Sequence, residues 1–246
     1  MNNIINKTYA VKLSEWLSKM EFNYLAPTVI ATRLLRKQLK KTVQYVNGDL
    51  LDVGCGTRPY EQIFLPYTNR YVGLDVVAGP RVDILADTTR RLPFDDETYD
   101  TVICTEMLEH TQHPRKSIRE ISRVLKVRGH VIISAPFTHK LHGEPHDYYR
   151  FSHHILKIML QEANLEPLEI HCVGTSMAVL GREIGDIMYA FGDVFRSKSL
   201  RILMRVMRIT IVTPIIWLFY ILDCVLSNFR FLKSNTLGFV VVAKKR

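Results

Sequence analysis

The residues best suited to chemistry begin with a glycine turn, Gly54-Cys55-Gly56, which follows the apolar run 50–53. Glycine tolerates positive φ and has no Cβ, so the backbone of this turn can approach a ligand closely. Pro59 suits the first turn of a helix, where its missing N–H is no loss. A strand that passes into a helix in this way presents free amides at the positive helix end. The turn therefore predicts a site for a small, partly anionic ligand.

A carboxylate about twenty residues further on extends this site. The run 70–74 has the pattern of a strand and ends at Asp75, whose carboxylate can accept hydrogen bonds from ribose hydroxyls. The dinucleotide fingerprint needs a third glycine, and Pro59 stands at that position. The pair of glycines and Asp75 together predict a nucleoside-bearing cofactor, but the dinucleotide pattern is incomplete.

Two further segments carry polar side chains. In the first, Glu106 and Glu109 are three apart and His110 is four from Glu106, so a helical turn would bring them to one face. The second is histidine-rich and aromatic, and follows the fifth strand-like run, where loops line the mouth of a sheet. It includes His139, His142, His146, Tyr148 and Tyr149.

The elements that must position these residues alternate between strand and helix patterns. Apolar strands that alternate with helices favour a parallel sheet covered on both faces. The strands are expected at 50–53, 70–74, 82–85, 101–104, 131–135, 168–173 and 238–243. We expect three parts: N-terminal helices at 1–46, a core formed by 47–175 and 236–246, and a helical, apolar insertion at 176–235.

The segment 49–137 resembles the class I S-adenosylmethionine-dependent methyltransferases, particularly the small-molecule group that includes the enzymes of ubiquinone biosynthesis. The resemblance implies an α/β fold with a Rossmann-like, seven-stranded, mostly parallel sheet, helices on both faces, and a helical insertion before the last strand. It also implies S-adenosylmethionine as the cofactor. The matching blocks, in order, are 51–56, Gly73-Leu74-Asp75, Ala86-Asp87, 92–95, 99–110 and 120–126, which leads to Gly129.

The resemblance assigns a role to each cofactor-binding position. The glycines pass beneath the methionine portion with Asp52 near its ammonium group, Asp75 binds the ribose, and Asp87, beside Thr88, accepts from the adenine amino group. An alternative for Asp87 is an ordinary helix cap. The complete implied set is Asp52, Gly54, Cys55, Gly56, Asp75, Asp87, Thr88, Thr105 and Glu106.

Methyl transfer requires in-line placement of the acceptor, and a base only where the acceptor holds a proton. We expect the catalytic residues to be His146, His110, Tyr148 and Tyr149, and oxygen to be the methylated atom. An alternative for the tyrosines is a packed aromatic loop in which Arg150 pairs with Asp147. The block 106–110 is interpreted as a turn that shapes the cofactor pocket without a metal. As an alternative, a divalent metal is bound by Glu106, Glu109, His110 and His142, as in some metal-dependent methyltransferases.

Composition limits the partners. Lys and Arg exceed Asp and Glu by 33 to 24, a net charge of +9, which suits an anionic partner. The four cysteines are far apart and form no CxxC pair, so neither a zinc site nor a disulfide framework is indicated and a reducing, cytoplasmic setting is expected. The first residues lack a signal-peptide pattern. RNA is disfavoured because the positive charge gathers on helices rather than in an aromatic groove.

The insertion holds an uncharged run at 209–222, shorter than the roughly twenty residues that span a bilayer and interrupted by Pro214. One interpretation is a buried helix. The other, which we adopt, is contact of 196–226 with an anionic membrane surface, with Trp217, Phe219 and Tyr220 at the interface and three arginines on one helical face, Arg201, Arg205 and Arg208.

These features together predict a methyltransferase of a small or lipid-linked acceptor, peripheral or monotopic at the cytoplasmic face of a membrane. Two alternatives remain. One is a soluble small-metabolite enzyme in which the insertion forms a lid or dimer face. The other is a non-catalytic, membrane-associated regulatory or scaffold protein that binds the cofactor.

Overall fold

The computed structural model describes residues 27–193 and 198–246. The helix predicted around Leu13, Trp16, Leu17 and Met20 lies outside the described residues, as does Arg196. The chain divides into two compact units. Within the described residues, a helical unit comprises 27–34, 174–193 and 198–235, and a sheet unit comprises Leu35–Val173 and Thr236–Arg246.

In the sheet unit, the described residues form one seven-stranded sheet with the order β3-β2-β1-β4-β5-β7-β6. The first five strands pair in parallel, and β7 is antiparallel to both β5 and β6. The predicted seven-stranded, mostly parallel sheet is therefore confirmed. The strands are β1 (Asp49–Val53), β2 (Arg70–Asp75), β3 (Ile84–Leu85), β4 (Tyr99–Thr105), β5 (Leu125–Pro136), β6 (Leu165–Val173) and β7 (Gly238–Lys245).

The helices that precede or follow the strands differ in one place from the sequence-based expectation. They are α1 (Pro27–Leu39), followed by a 3₁₀ turn Lys40–Tyr45, then α2 (Glu61–Phe64), α3 (Pro114–Val124) and α4 (His153–Glu162). Because α2 begins only at Glu61, Pro59 precedes the helix rather than occupying its first turn. Ser152 stands at the N-cap of α4, but its side chain makes no capping hydrogen bond within the described structure.

The core of the sheet unit explains why its strands read as continuous apolar runs. Leu51, Val102 and Ile133, on three neighbouring strands, are fully buried in one cluster with Ile118 of α3 and Leu156 of α4. A strand covered by helices on both faces has no polar face to display. The carboxyl ends of β1 and β4, which are neighbours although β2 and β3 separate them in sequence, form the switch point where open α/β sheets bind ligands.

The helical unit contains α5 (Ser176–Asp193), then α6 (Lys198–Met207), a π turn (Arg208–Val212) and α7 (Thr213–Leu226), which continue one another. The predicted interruption at Pro214 is a local one, since α6 ends at Met207 and the π turn intervenes before α7 begins at Thr213. Pro214 lies at the first positions of α7, where its missing N–H is tolerated, and the π turn precedes it. Among the described residues, one helix, Leu200–Leu226, is long and apolar enough to cross a membrane, by length and composition alone.

The shared face predicted for the three arginines of this segment is wrong for Arg208. Arg201 is exposed and Arg205 is half-buried, whereas Arg208 is buried. Its Nη2 donates to the Tyr189 carbonyl oxygen at 2.5 Å, and its guanidinium carbon lies 4.6 Å from the Tyr189 ring centroid. Arg208 therefore turns towards α5 because a carbonyl and an aromatic face are available there.

Candidate active site

The glycine turn is held open by backbone hydrogen bonds to β2. The amides of Gly54 and Cys55 both donate to the Leu74 carbonyl oxygen, at 2.8 and 3.0 Å, and Gly56 donates to Oδ2 of Asp75 at 2.9 Å. Both glycines have positive φ, +71° and +49°. The turn and the carboxylate predicted from the sequence thus meet at the carboxyl edge of the sheet.

The two glycines serve different purposes. A Cβ at Gly54 would lie 2.3 Å from Cγ of Met107, so Gly54 permits close packing. A Cβ at Gly56 would meet nothing within 4 Å among the described atoms. The space over Gly56 is consequently where a ligand can approach the backbone.

The carboxylate of Asp52 lies in the interior rather than open beside the turn. Tyr71 donates to its Oδ2 at 2.6 Å, while its Oδ1 is buried without a hydrogen-bond partner among the described residues. Burial raises the pKa of Asp52 to about 7. A carboxyl group in this position favours its neutral form until a positive charge is brought near it.

Asp87 caps a short turn and not a helix, because no helix begins there among the described residues, so its helix-cap alternative is wrong. Its Oδ1 accepts from the backbone amide and the hydroxyl of Thr89, both at 2.8 Å. Burial opposes ionisation, but these bonds outweigh it and lower the pKa of Asp87. The Thr88 hydroxyl pairs with the Ser117 hydroxyl at 2.8 Å in the interior. Oδ2 of Asp87 lies 3.7 Å from Nε of the exposed Arg90, so a cofactor amino group would share this oxygen with a surface ion pair.

Arg58 supports the turn and was missed in the sequence analysis. It has a positive φ of 54°, and its guanidinium binds Glu61 at 3.3 Å and also pairs with Asp83. A Cβ at Gly73 would lie 2.5 Å from its Nε, so Gly73 leaves room for this side chain. Burial raises the pKa of the adjacent Cys55 thiol to about 11, which keeps Cys55 a neutral packing residue.

Glu106 does not join Glu109 and His110 on a helical face, because it precedes the 3₁₀ turn Leu108–His110 and has a φ of +49°. Its Oε1 accepts from the Ser134 hydroxyl at 2.8 Å. Burial and the nearby charge of Glu109 raise the pKa of Glu106 to about 7. Glu106 therefore lies with the buried Thr105 at the carboxyl end of β4, beside Ser134 of β5.

Glu109 lies at the centre of a histidine cluster. Its side chain is fully buried, and neither carboxylate oxygen has a hydrogen-bond partner among the described residues. Nε2 of His110 and Nε2 of His142 lie 3.7 and 3.8 Å from its Oε1. The three side chains offer ligand atoms within 4.8 Å of one another, and Glu109 raises the pKa of His142.

The other nitrogen of each histidine faces a carbonyl oxygen. Nδ1 of His110 lies 2.6 Å from the His146 carbonyl oxygen, and Nδ1 of His142 lies 3.2 Å from that of Lys140. A carbonyl only accepts, so both Nδ1 atoms carry hydrogen. Each neutral ring then points a lone pair at the Glu109 carboxylate, an arrangement that requires a second proton on the ring or a cation between the groups.

The predicted catalytic residues meet around this cluster. Nδ1 of His146 lies 2.8 Å from the Tyr148 hydroxyl, and the Tyr148 amide donates to the Glu109 carbonyl oxygen at 2.8 Å. The Tyr149 hydroxyl donates to the Gln112 carbonyl oxygen at 3.1 Å. The rings of Tyr148 and Tyr149 remain 37% and 38% exposed, so both can also contact a bound acceptor.

Arg150 shapes the loop that carries these groups. Its guanidinium binds both oxygens of Asp147, at 2.6 and 2.7 Å, and donates to the carbonyl oxygens of His139 and Lys140, both at 2.9 Å. The pairing with Arg150 lowers the pKa of Asp147 well below its usual range. The pairing weighed as an alternative is present, and it positions the histidines.

Residues 51–133 match a family model described as a methyltransferase domain. The chain is 32% identical over 127 residues to demethylmenaquinone methyltransferase of Renibacterium salmoninarum, covering 46% of this chain and 51% of that protein. It is 31% identical over 115 residues to ubiquinone biosynthesis O-methyltransferase of Aliivibrio fischeri, covering 39% and 49%. The matches thus span about half the length of these two curated relatives.

Solved structures share the fold at low identity. An S-adenosylmethionine-dependent methyltransferase from Archaeoglobus fulgidus superposes with a TM-score of 0.54 at 12% identity, over 94% of this chain and 99% of that one. The cyclase SpnF superposes with a TM-score of 0.53 at 20% identity, over 86% and 79%. At such identities the likeness shows the fold alone, and one fold can host several reactions. The sequence match over 51–133, the sheet order and the glycine turn together identify a methyltransferase domain with a Rossmann-like fold in this chain.

Proposed function

We propose that the chain transfers a methyl group from S-adenosylmethionine to an oxygen of a small or lipid-linked acceptor. The observation that carries this proposal is the open space over Gly56, whose amide is held by the carboxylate of Asp75 at the switch point of the sheet. A turn without a Cβ suits the methionine portion of the cofactor, and the carboxylate suits ribose hydroxyls. Bound cofactor would bring its ammonium group towards Asp52, which stabilises the ionised carboxylate.

The preference for oxygen follows from the histidine cluster. Sulfonium methyl transfer requires in-line placement of the acceptor, and a hydroxyl acceptor also requires removal of its proton. His110, His142 and His146 are held by carbonyl or hydroxyl partners beside the buried Glu109. His146, whose Nδ1 is held by the Tyr148 hydroxyl, is the imidazole of this set that suits removal of an acceptor proton. The relative from Aliivibrio fischeri is itself an O-methyltransferase.

The test is turnover of S-adenosylmethionine to S-adenosylhomocysteine by the purified full chain, with a lipid extract in one arm and a water-soluble metabolite extract in the other. Turnover dependent on the lipid extract, lost in Asp75→Asn, supports the proposal. Turnover with the soluble extract alone would instead establish the small-metabolite alternative. Cofactor binding without turnover in either arm would favour the regulatory or scaffold alternative. The product ions of tandem mass spectrometry, with the carbon chemical shift of the transferred methyl group, identify the methylated atom.

We also propose that Glu109, His110 and His142 hold a divalent cation, a set that differs from the sequence alternative by omitting Glu106. The unpartnered buried carboxylate of Glu109 and the two Nε2 atoms that face it favour this site. Histidine ligands of metals usually donate their other N–H to a carbonyl or carboxylate, as both rings do here. Such a cation would supply Lewis acidity to an acceptor oxygen.

The cation is tested by equilibrium dialysis of the chelated protein against Zn²⁺ and Mn²⁺, with metal content measured directly. One equivalent in the wild type, lost in His142→Asn and retained in His154→Asn, supports the site. His154 is a matched control because it lies in α4, outside the cluster. Full activity after thorough chelation, with no metal retained, would leave the histidines as proton acceptors only.

The setting proposed for this reaction is the cytoplasm, at a membrane surface where a lipid-linked acceptor resides. The net charge of +9 and the absence of a CxxC pair in the sequence support it.

A further inference from the structure

The long helix of the helical unit, from α6 through α7, exposes apolar side chains and buries polar ones, which is the reverse of the usual arrangement. Between Leu203 and Val225, almost every exposed side chain is apolar, with Thr210 as the polar exception within this described stretch. Leu218, Ile221 and Val225 are 53%, 55% and 66% exposed. A water-facing helix surface normally carries charged and polar residues. The exposed set is Leu203, Val206, Thr210, Ile211, Pro214, Ile215, Leu218, Ile221 and Val225.

The buried side of the same helix carries polar groups. Arg208, Thr213 and Asp223 are 8%, 6% and 2% exposed. The Thr213 hydroxyl donates to the Arg208 carbonyl oxygen at 3.0 Å. Asp223 accepts from the Thr175 amide at 2.6 Å, and Arg208 donates to the Tyr189 carbonyl oxygen. The interior of the helix pair thus satisfies polar groups that hydrocarbon could not satisfy.

The partner helix α5 repeats the arrangement. Leu180, Ile187 and Phe191 are 45%, 56% and 58% exposed and recur at helical spacing. Gly181 is buried, and a Cβ at that position would lie 2.6 Å from Cβ of Phe219. Close backbone approach through small residues, with apolar side chains outside, is the packing mode of helices in lipid. Both helices therefore present apolar outer faces.

Basic and aromatic side chains flank this face. Arg201 is exposed near its beginning. Beyond its end lie Phe229 and Phe231, 53% and 71% exposed, and the exposed Lys233. Aromatic rings and cations are the side chains that suit the headgroup region of an anionic leaflet. A second copy of this chain would bring the same positive charges together, so charge complementarity favours lipid.

We infer that α5 and the helix from α6 through α7 insert their shared apolar face into one leaflet of an anionic membrane, as a monotopic helix pair. If the long helix crossed the membrane alone, Arg208 would lose its hydrogen bond to Tyr189 of α5, and Asp223 would lose its hydrogen bond to Thr175, which precedes α5. This insertion is independent of the proposed methyl transfer, because it depends on the helical unit alone.

The experiment is flotation of the purified full chain with vesicles of phosphatidylcholine and phosphatidylglycerol, and with vesicles of phosphatidylcholine alone. The variant combines Ile215→Glu, Leu218→Glu and Ile221→Glu, all at exposed positions. The matched control is Ile158→Glu, a helical isoleucine of the sheet unit that is 47% exposed. We expect the wild type and the control to float with the anionic vesicles, and the triple variant to bind at least tenfold more weakly.

Thermal unfolding and cofactor binding, measured on the same samples, verify that the triple variant is folded. Equal flotation of the triple variant and the wild type would overturn the inference. The inference would also be overturned if the wild type bound neither kind of vesicle and formed a dimer that the triple substitution dissociates. The apolar face would then be covered by a second copy of the chain. Protease added outside sealed vesicles should digest a tag at either terminus of the bound protein. A tag that is protected from this protease would indicate a spanning arrangement instead of the monotopic one.

Discussion

Replacement of each glycine of the turn by alanine separates packing from ligand binding. An alanine at either position is held at positive φ, which costs about 1–2 kcal/mol, partly offset by about 0.4–1 kcal/mol from the less flexible unfolded chain. For Gly56→Ala this is the whole effect, since its Cβ meets no described atom. For Gly54→Ala, the overlap at 2.3 Å with Met107 adds roughly 1–3 kcal/mol.

We therefore expect Gly56→Ala to lower the melting temperature by no more than ~6 °C, while its affinity for S-adenosylmethionine falls at least about tenfold, a loss of ~1.4 kcal/mol. The affinity falls because the new methyl group occupies the space proposed for the cofactor. Gly54→Ala should be the less stable variant by several degrees. Calorimetric unfolding and titration calorimetry measure both quantities. Wild-type affinity in a stable Gly56→Ala protein would refute the placement of the cofactor over Gly56.

Three further outcomes are expected. Arg150→Lys should lower kcat about tenfold and leave cofactor affinity unchanged. The reason is that an ammonium group cannot replace both the bidentate pair with Asp147 and the hydrogen bonds to two carbonyl oxygens. An unchanged kcat in steady-state assays would contradict this prediction. Burial holds the pKa of Asp52 near 7, so the unfolded state loses this proton first. The free energy of unfolding should then fall by about 4 kcal/mol between about pH 4 and about pH 7, relative to Asp52→Asn. Parallel dependence of the two proteins' unfolding free energies on pH across this range would contradict it. Burial raises the pKa of the thiols of Cys55 and Cys104, so alkylation of the native protein near neutral pH should modify Cys172 and Cys224 first, as peptide mass spectrometry would show.

The sheet could be predicted from sequence because its determinants are local. Apolar runs ended by Gly54 or Asp75 mark strand ends, and the alternation of the first five strands with helices and turns favours parallel pairing. The extents were less predictable: β3 contains Ile84–Leu85 alone, and β5 begins at Leu125 rather than near Val131. Pairing with neighbours decides where a strand begins, and those neighbours are remote in sequence.

The site was predictable in its composition and less so in its contacts. The spacing of Glu106, Glu109 and His110 suggests one helical face, but the positive φ of Glu106 turns its side chain to Ser134. His142, which reaches Glu109, comes from a loop more than thirty residues away in sequence. The polarity of the long helix was also hidden, because the burial of Arg208 depends on Tyr189 of another helix. Tertiary contacts of this kind have no local signature.

The place where the helical segment leaves the sheet has a consequence for how such a protein could have arisen. Val173 and Gly238, the last residue of β6 and the first of β7, are direct partners in the sheet. The Leu237 amide and the Thr236 hydroxyl both bind the Val173 carbonyl oxygen, at 3.1 and 2.9 Å. About sixty residues thus depart and return at adjacent backbone positions of an antiparallel hairpin. Replacement of that segment by a tight turn changes the entropy of closing one loop and leaves every strand pairing unchanged. The junction is therefore modular. A sheet of this kind can acquire, lose or exchange such a segment in evolution, or in an engineered gene.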